Sequence, residues 1–224
     1  MDIANIIQTI VLYALPVLLA ITLHEAAHGY VARHFGDDTA AMLGRVTLNP
    51  IKHIDPVGTI AIPLILALVT HGAFVFGYAK PVPVRIRRLR DPKRDMIWVA
   101  LAGPLSNLAQ ALIWGLLFCL LFVMGMSEPF FVSMCIIGVI VNVVMFALNL
   151  FPVPPLDGGR VLVGLLPPGP AMALARVEPW GFFIVMALVA SRILDAIWMG
   201  PLMDATFAVL KLLLPPLKLA LSSF

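Results

Sequence analysis

The sequence of 224 residues is 61% hydrophobic and only 12% charged, with a formal net charge of +3. A soluble globular domain carries roughly 25% charged residues, so this composition argues against a soluble protein and indicates an integral membrane protein. The basic residues gather beside apolar segments, which is not the pattern of a nucleic-acid-binding protein. Segments of alternating hydrophobicity are absent, so helices rather than a β-barrel are expected to satisfy the backbone in lipid.

Six apolar segments follow one another along the chain. They run from about Ile3 to Phe35, Val57 to Phe76, Asp95 to Met124, Pro129 to Leu150, Pro179 to Ile197 and Leu202 to Leu214. We expect an all-α polytopic membrane protein with about five to six transmembrane helices. Residues 1–224 are expected to form a single domain with its core at about 3–165. The C-terminal helices, at about 179–214, could gate access or serve only as static packing.

The distribution of Lys and Arg predicts the orientation in the membrane. Residues 80–94 hold seven of the 15 basic residues, whereas the turns 125–129 and 198–204 hold none. Because Lys and Arg concentrate in cytoplasmic loops, we expect 33–56 and 80–94 to lie on the cytoplasmic side. That placement requires a re-entrant segment at 57–77, and an ordinary short crossing helix is the alternative. The N-terminus would then lie outside and the C-terminus inside, in a membrane that we expect to be the bacterial inner membrane.

The motif "HEAAH" interrupts the first apolar segment with three polar groups. His24 and His28 are spaced i, i+4, so both imidazoles lie on one helix face, close enough to share a metal. Glu25 lies beside them and could accept a proton from a water on that metal. Ionisable residues inside a membrane helix are costly and are usually functional, so a purely structural role for all three is the weaker interpretation.

Catalytic zinc usually takes three protein ligands and leaves one position for water. The candidate third ligand is Asp157 in "NLFPVPPLDGGR" (149–160), where prolines extend the chain before an expected turn at Gly158 and Gly159. By itself, Asp157 reads more simply as part of an Asp-Gly turn. In the predicted topology, however, "HEAAH", "AGPLSN" (102–107) and Asp157 reach the same depth near the cytoplasmic face, which favours a shared site.

These motifs together resemble the site-2 protease family of intramembrane zinc metalloproteases. The stretches "GRVTLNPIKHIDPVGT" and "FGYAKPVPV" are similar to the compact bacterial and archaeal branch, which has no PDZ or CBS domains. The resemblance covers about 20–160, and the last two helices match no family motif. It implies hydrolysis of a peptide bond within or near a transmembrane segment of a membrane-protein substrate, with one Zn²⁺ per chain.

By matching positions, the resemblance implies zinc bound by His24, His28 and Asp157, with Glu25 as general base and acid. Asn149 matches an asparagine near the family's site and is a candidate donor to the oxyanion or the substrate backbone. The alternative for Asn149 is a helix C-terminal cap.

Two further residues are expected close to the ligands. Asn107 matches the family's small-residue helix and is expected to support a ligand from behind. His53 lies in a loop expected near the site, and it could either support a ligand or only face solvent.

The loop "GRVTLNPIKHI" (44–54) and the stretch "YAKPVPVRI" (78–86) have alternating β-favouring character. We expect short β-strands near the active site, which could pair with an unwound substrate by edge addition. The expected partners are therefore a substrate transmembrane segment and the lipid bilayer, and no nucleic acid.

Two other classes of protein place His and Asp in membrane helices. A metal transporter would arrange its ligands at successive depths along a pore. A non-catalytic scaffold that binds membrane helices would typically lack the glutamate or a ligand. The sequence carries no signal for the identity of the substrate, a need for prior trimming, or the oligomeric state.

Overall fold

The computed structural model describes residues 3–62, 65 and 80–221, and these residues form helices, turns and extended loops without any strand. The helices are α1 (Ile3–His34), α2 (Thr39–Met42), α3 (Pro92–Val123), α4 (Pro129–Asn149), α5 (Asp157–Leu165), α6 (Pro168–Ala175), α7 (Glu178–Ala190), α8 (Gly200–Leu213) and α9 (Leu217–Ala220). Short 3₁₀ turns lie at Pro50–Lys52 and Ile86–Arg88, and wider π-type turns lie at Pro56–Ala61 and Asp195–Met199.

Within these ranges, four helical stretches are long and apolar enough to cross a membrane. They are Ile10–His34, Pro92–Val123, Pro129–Asn149 and Asp195–Leu213. Helices α6 and α7, which are bent by 67° relative to each other, would make a fifth span if they act as a pair. The predicted all-α polytopic membrane fold is confirmed. Most of the predicted re-entrant segment at 57–77 lies outside the described residues, so the re-entry stays a prediction.

The predicted boundary between the last two membrane helices is wrong. We expected it at 198–204, but α7 ends at Ala190, and the chain turns at Arg192, which has a positive φ of 58°. Helical structure resumes at Ile193 and continues through Gly200 and Pro201 into α8. Pro201 directly follows the π-type turn at Asp195–Met199, and such a local adjustment of the backbone accommodates a missing N–H inside a membrane helix. The loop between the last two membrane helices therefore carries Arg192. The predicted orientation had assumed a loop without Lys or Arg at this place.

The predicted short β-strands are also not found in the described parts of the two loops. Residues 44–49 form turns and bends, and residues 80–85 are extended without a partner strand. Pro81 and Pro83 lack the N–H that a ladder would need. The loops are instead tied together at Lys80, whose N–H donates to the carbonyl of His53 at 2.9 Å.

Helix α3 lies at the centre of the bundle and contacts α1, α4 and α5. Close approach depends on small residues, as is usual between membrane helices. A Cβ at Gly138 would overlap the ring of Trp114, so the missing side chain lets α4 lie against α3. The largest apolar cluster joins α3, α4, α8 and α9; it contains Ala111, Trp114, Phe118, Cys135, Val139, Val143, Phe207, Leu210, Leu214, Leu217 and Leu221.

The end of α1 is fixed to the segment that precedes α3. Asp37 is 1% exposed, and its carboxylate accepts hydrogen bonds from the Thr39 hydroxyl and from the backbone N–H of Arg85. Burial alone would raise the pKa of Asp37, but these bonds and the charge of Arg88 outweigh it and hold the pKa below its ordinary value. The segment before α3 is therefore held beside the last turn of α1.

Candidate metal centre

The two histidines of α1 are held in one tautomer by acceptors on α3. The Nδ1–H of His28 donates to the carbonyl oxygen of Val99 at 2.7 Å, because a carbonyl can only accept. The Nδ1–H of His24 donates to Oδ1 of Asn107, also at 2.7 Å. In the neutral form of this tautomer, each imidazole has its Nε2 lone pair free, and this is the atom that binds a metal.

Asp157 joins the histidines from the first residue of α5. Its Oδ2 lies 3.2 Å from Nε2 of His24 and 3.3 Å from Nε2 of His28, and the two Nε2 atoms are 3.1 Å apart. All three side chains are buried, with between 5% and 9% of each residue exposed. Three side chains from two distant parts of the chain thus direct one ligand atom each toward a common point.

Three lone-pair acceptors at this separation repel one another unless a proton or a metal cation lies between them. Oδ2 of Asp157 is buried and has no hydrogen-bond donor, and a buried unpaired carboxylate is costly. Ligand atoms around a tetrahedral zinc, at bond lengths of about 2.0–2.2 Å, lie roughly 3.3–3.6 Å apart. The observed separations are close to these values, so the donor set of two imidazoles and one carboxylate fits zinc.

Gly103 makes room for the two imidazoles. A Cβ on this residue of α3 would overlap Nε2 of His28 and lie 2.6 Å from Nε2 of His24. No rotation of a methyl group relieves such an overlap, so only glycine allows α3 to pass the ligands at this distance.

Glycines also fold Asp157 into place. A Cβ at Gly158 would overlap the carbonyl of Leu150, and a Cβ at Gly159 would overlap the backbone of Pro154. The predicted turn at these two glycines is therefore wrong. They begin α5, and their missing side chains let this helix press against the proline-rich segment that precedes it.

Glu25 is partly buried on α1, next to the ligands in sequence. Its Oε2 accepts a hydrogen bond of 2.7 Å from the backbone N–H of Val82, in the extended segment before α3. The carboxylate is therefore held on one oxygen by the main chain. Nothing in the sequence pattern indicated this contact, because a backbone N–H has no side-chain signature.

Asn107 is fully buried and connects three helices. Its Nδ2 donates to the carbonyl of Ala20 at 3.2 Å and to Oδ1 of Asn142 at 2.9 Å, which fixes Oδ1 toward His24. Nδ2 of Asn142 in turn donates to the carbonyl of Gly138. The expected support of a ligand by Asn107 is thus present in the geometry. Asn142, which sequence reasoning missed, could have been found as a lone polar residue in a membrane helix.

Asn149 and His53 lie outside the ligand cluster. Asn149 is the last residue of α4, and its Nδ2 donates to the carbonyl of Met145 at 3.0 Å. His53 is 1% exposed, so the expectation that it only faces solvent is wrong. Its Nε2–H donates to the carbonyl of Thr47 at 3.0 Å and closes the 47–53 loop. The oxyanion role of Asn149 and the ligand-supporting role of His53 stay predictions.

The sequence is similar to curated bacterial proteins of one designation. It is 40% identical over 197 residues to the Bacillus subtilis protein named "Putative zinc metalloprotease YwhC", and the match covers 84% of each chain. The chain belongs to the same family as YwhC. It is also 32% identical over 186 residues to Rip2 of Mycolicibacterium smegmatis, which carries the same designation; that match covers 80% of this chain and 66% of Rip2.

Rip2 of Mycobacterium tuberculosis, again named "Putative zinc metalloprotease", is 29% identical over 188 residues, with 82% of this chain and 68% of Rip2 covered. No family model matches the chain. No solved structure matches it either.

Proposed function

We propose that this protein is an intramembrane zinc metalloprotease of the site-2 protease type. The observation that carries the proposal is the convergence of His24, His28 and Asp157 on one point. Both histidines, and Glu25 beside them in sequence, lie on a helix long enough to span a membrane. The zinc metalloprotease designation of YwhC and Rip2 supports the same chemistry. The substrate class is a membrane protein that is cut within or near a transmembrane segment.

Zinc is the cofactor, held by Nε2 of His24, Nε2 of His28 and Oδ2 of Asp157. Three protein ligands are the number that catalytic zinc uses, because a fourth position is kept for water or substrate. When bound, zinc lowers the pKa of a water molecule toward about 7 and polarises the carbonyl of the scissile bond.

Glu25 moves the proton. Its carboxylate accepts a proton from the attacking water and returns it to the nitrogen of the leaving amine, the general base and acid role. Oε2 already accepts a hydrogen bond from the N–H of Val82, which favours Oε1 as the oxygen for this transfer.

Asn149 is the candidate donor to the carbonyl oxygen as it gains negative charge. An amide nitrogen carries two hydrogens, and the bond to Met145 uses one of them. The second hydrogen is available to an oxyanion or to the substrate backbone. An alternative is that Asn149 serves only its own helix end.

The substrate reaches the site from the bilayer. A transmembrane helix satisfies its own carbonyls, so it must unwind locally before it can be cut. We propose that the protein resides in the bacterial inner membrane, with its N-terminus outside and the active site toward the cytoplasmic side, in line with the basic segment 80–94. The C-terminal helices are candidates for the element that admits the substrate.

A metal transporter is the main alternative class, and it predicts ligands at successive depths along a pore. Here the three ligand atoms lie within 3.3 Å of one another. The two imidazoles among these ligands are each held in a single tautomer by a hydrogen bond from Nδ1–H. A scaffold without activity would have no need for Glu25 beside an intact ligand set.

The test uses the full chain reconstituted in liposomes with a panel of transmembrane peptides. We expect cleavage by the wild type and no cleavage by Glu25→Gln, with one zinc per chain in both. Equal cleavage by the two proteins would refute the role of Glu25. Zinc without cleavage in either protein would favour a binding role over a protease.

A further inference from the structure

The 80–85 segment (sequence "KPVPVR") lies against Glu25 and contributes one backbone donor to it. Val82 is 7% exposed, and its N–H donates to Oε2 of Glu25 at 2.7 Å, across 57 residues of sequence. The flanking residues, Pro81 and Pro83, have no N–H to offer. Val82 therefore provides the only backbone donor among residues 81–83, and that donor is directed at the carboxylate.

The segment is held in place on both sides of Val82. The N–H of Lys80 donates to the carbonyl of His53, and Nη2 of Arg45 donates to the carbonyl of Lys80 at 2.7 Å. Beyond Val82, the N–H of Arg85 donates to the buried carboxylate of Asp37. Because the backbone is anchored at both ends, the Val82 N–H is a fixed donor and does not move freely with a loop.

A glycine on α1 sets how closely the segment approaches. Gly29 lies one turn after Glu25, and a Cβ there would lie 3.1 Å from Cγ1 of Val82 and 2.8 Å from Cγ2 of Val46. The absence of that side chain lets Val82 rest on the helix surface next to the carboxylate it binds. Three kinds of feature therefore shape the hydrogen bond between Val82 and Glu25: the flanking prolines, the hydrogen bonds at both ends of the segment, and the glycine on α1.

We propose that the Val82 N–H is a positioning group for the reaction. It fixes Oε2 of Glu25 so that Oε1 is directed at the water proton, and it acts through Glu25 without touching the substrate. This inference rests on the proposed function of Glu25. The proline pattern of the 80–85 segment leaves position 82 free of proline, and a proline there would remove the donor. The pattern is thus explained without pairing between this segment and the substrate.

The sharpest test replaces the Val82 amide with an ester by incorporating the α-hydroxy analogue of valine during cell-free synthesis into nanodiscs. The ester keeps the side chain and replaces the N–H with an oxygen. It also makes the carbonyl of Pro81, which lies 3.4 Å from Nη2 of Arg45, a weaker acceptor, and Val82→Pro removes the N–H without that second change. A misplaced catalytic group costs roughly 10–100-fold in rate. We therefore expect kcat to fall by about that factor, with KM and zinc content unchanged.

Two matched variants separate positioning from packing. Val82→Ala keeps the N–H and should cleave faster than the ester, whereas Val82→Pro should behave like the ester. Val84→Pro removes a different N–H from the same segment and should leave kcat near the wild-type value. If the ester cleaves at the wild-type rate, or if Val82→Ala loses as much activity as the ester, the inference is wrong.

A second readout does not depend on cleavage. The infrared carboxylate stretch of Glu25, obtained as the difference between wild type and Glu25→Gln, should shift when the ester removes the hydrogen bond. An unchanged stretch would overturn the inference. The two proposals can fail separately. If the wild type cleaves, Glu25→Gln does not, and the ester is fully active, the role of Val82 is refuted and the proposed function stands.

Discussion

Replacing Asn107 should weaken zinc binding without touching a ligand. Its Oδ1 accepts the Nδ1–H of His24 at 2.7 Å, which fixes both the tautomer and the ring orientation. Loss of such a supporting contact typically reduces metal affinity 10–100-fold. Asn107→Leu should therefore lose about 1.4–2.7 kcal/mol of zinc binding free energy, at about 1.4 kcal/mol per tenfold.

The same substitution leaves two buried polar groups without a partner, the Nδ1–H of His24 and Oδ1 of Asn142. Each costs about 1–3 kcal/mol if it remains unsatisfied, so the thermal stability should fall as well. Two variants separate these effects. Asn142→Ala removes a partner of Asn107 but keeps the bond to His24, and Asn107→Asp keeps an acceptor for that bond. Both should retain tighter zinc binding than Asn107→Leu.

The assay is a competition titration of purified protein against a chromophoric zinc chelator, with thermal unfolding measured on the same samples. A zinc affinity for Asn107→Leu within twofold of the wild type would refute the reasoning. Equal losses of affinity in Asn107→Leu and Asn142→Ala would also refute it, because the effect would then follow packing and not the bond to His24.

Three further predictions follow from single residues. Gly103→Ala should abolish stoichiometric zinc binding, measured by elemental analysis, because its Cβ would overlap both imidazoles. Asp37 has a lowered pKa, so its stabilising bonds are complete above about pH 4 and are lost as the pH falls through the folded pKa; Asp37→Asn should flatten the acid loss of thermal stability. Gln110 is buried with both amide atoms unpaired, so Gln110→Met should raise the unfolding temperature.

The sequence was most informative where the relevant spacing is local. The i, i+4 interval of His24 and His28 on a long apolar segment predicts two imidazoles on one helix face, and the structure has them there. Asp157 is far away in sequence, and its placement could be argued only from topology.

The sequence misled where tertiary packing decides local structure. Gly158 and Gly159 look like a turn but begin a helix, because close contact with Leu150 and Pro154 requires them. The alternating pattern of 80–85 looks like a strand, but Pro81 and Pro83 have no N–H to donate to a neighbouring strand. The Gly200–Pro201 pair looks like a helix break, but it lies inside the helical stretch Asp195–Leu213, directly after a π-type turn.

Other contacts could not have been predicted at all. The carbonyl of Val99 and the N–H of Val82 orient His28 and Glu25. Both are main-chain groups, so any residue at position 99 and any residue except proline at position 82 could supply them, and only the three-dimensional structure brings them to the site.

The most direct test of the central claim is zinc X-ray absorption spectroscopy on the purified full-length chain. The account predicts one zinc per chain, with a first shell of two imidazole nitrogens and carboxylate or water oxygens at about 2.0–2.2 Å. It also predicts loss of that zinc in Asp157→Ala. Sulfur ligands at about 2.3 Å, which would implicate Cys119 or Cys135, or zinc that persists unchanged in Asp157→Ala, would contradict the account.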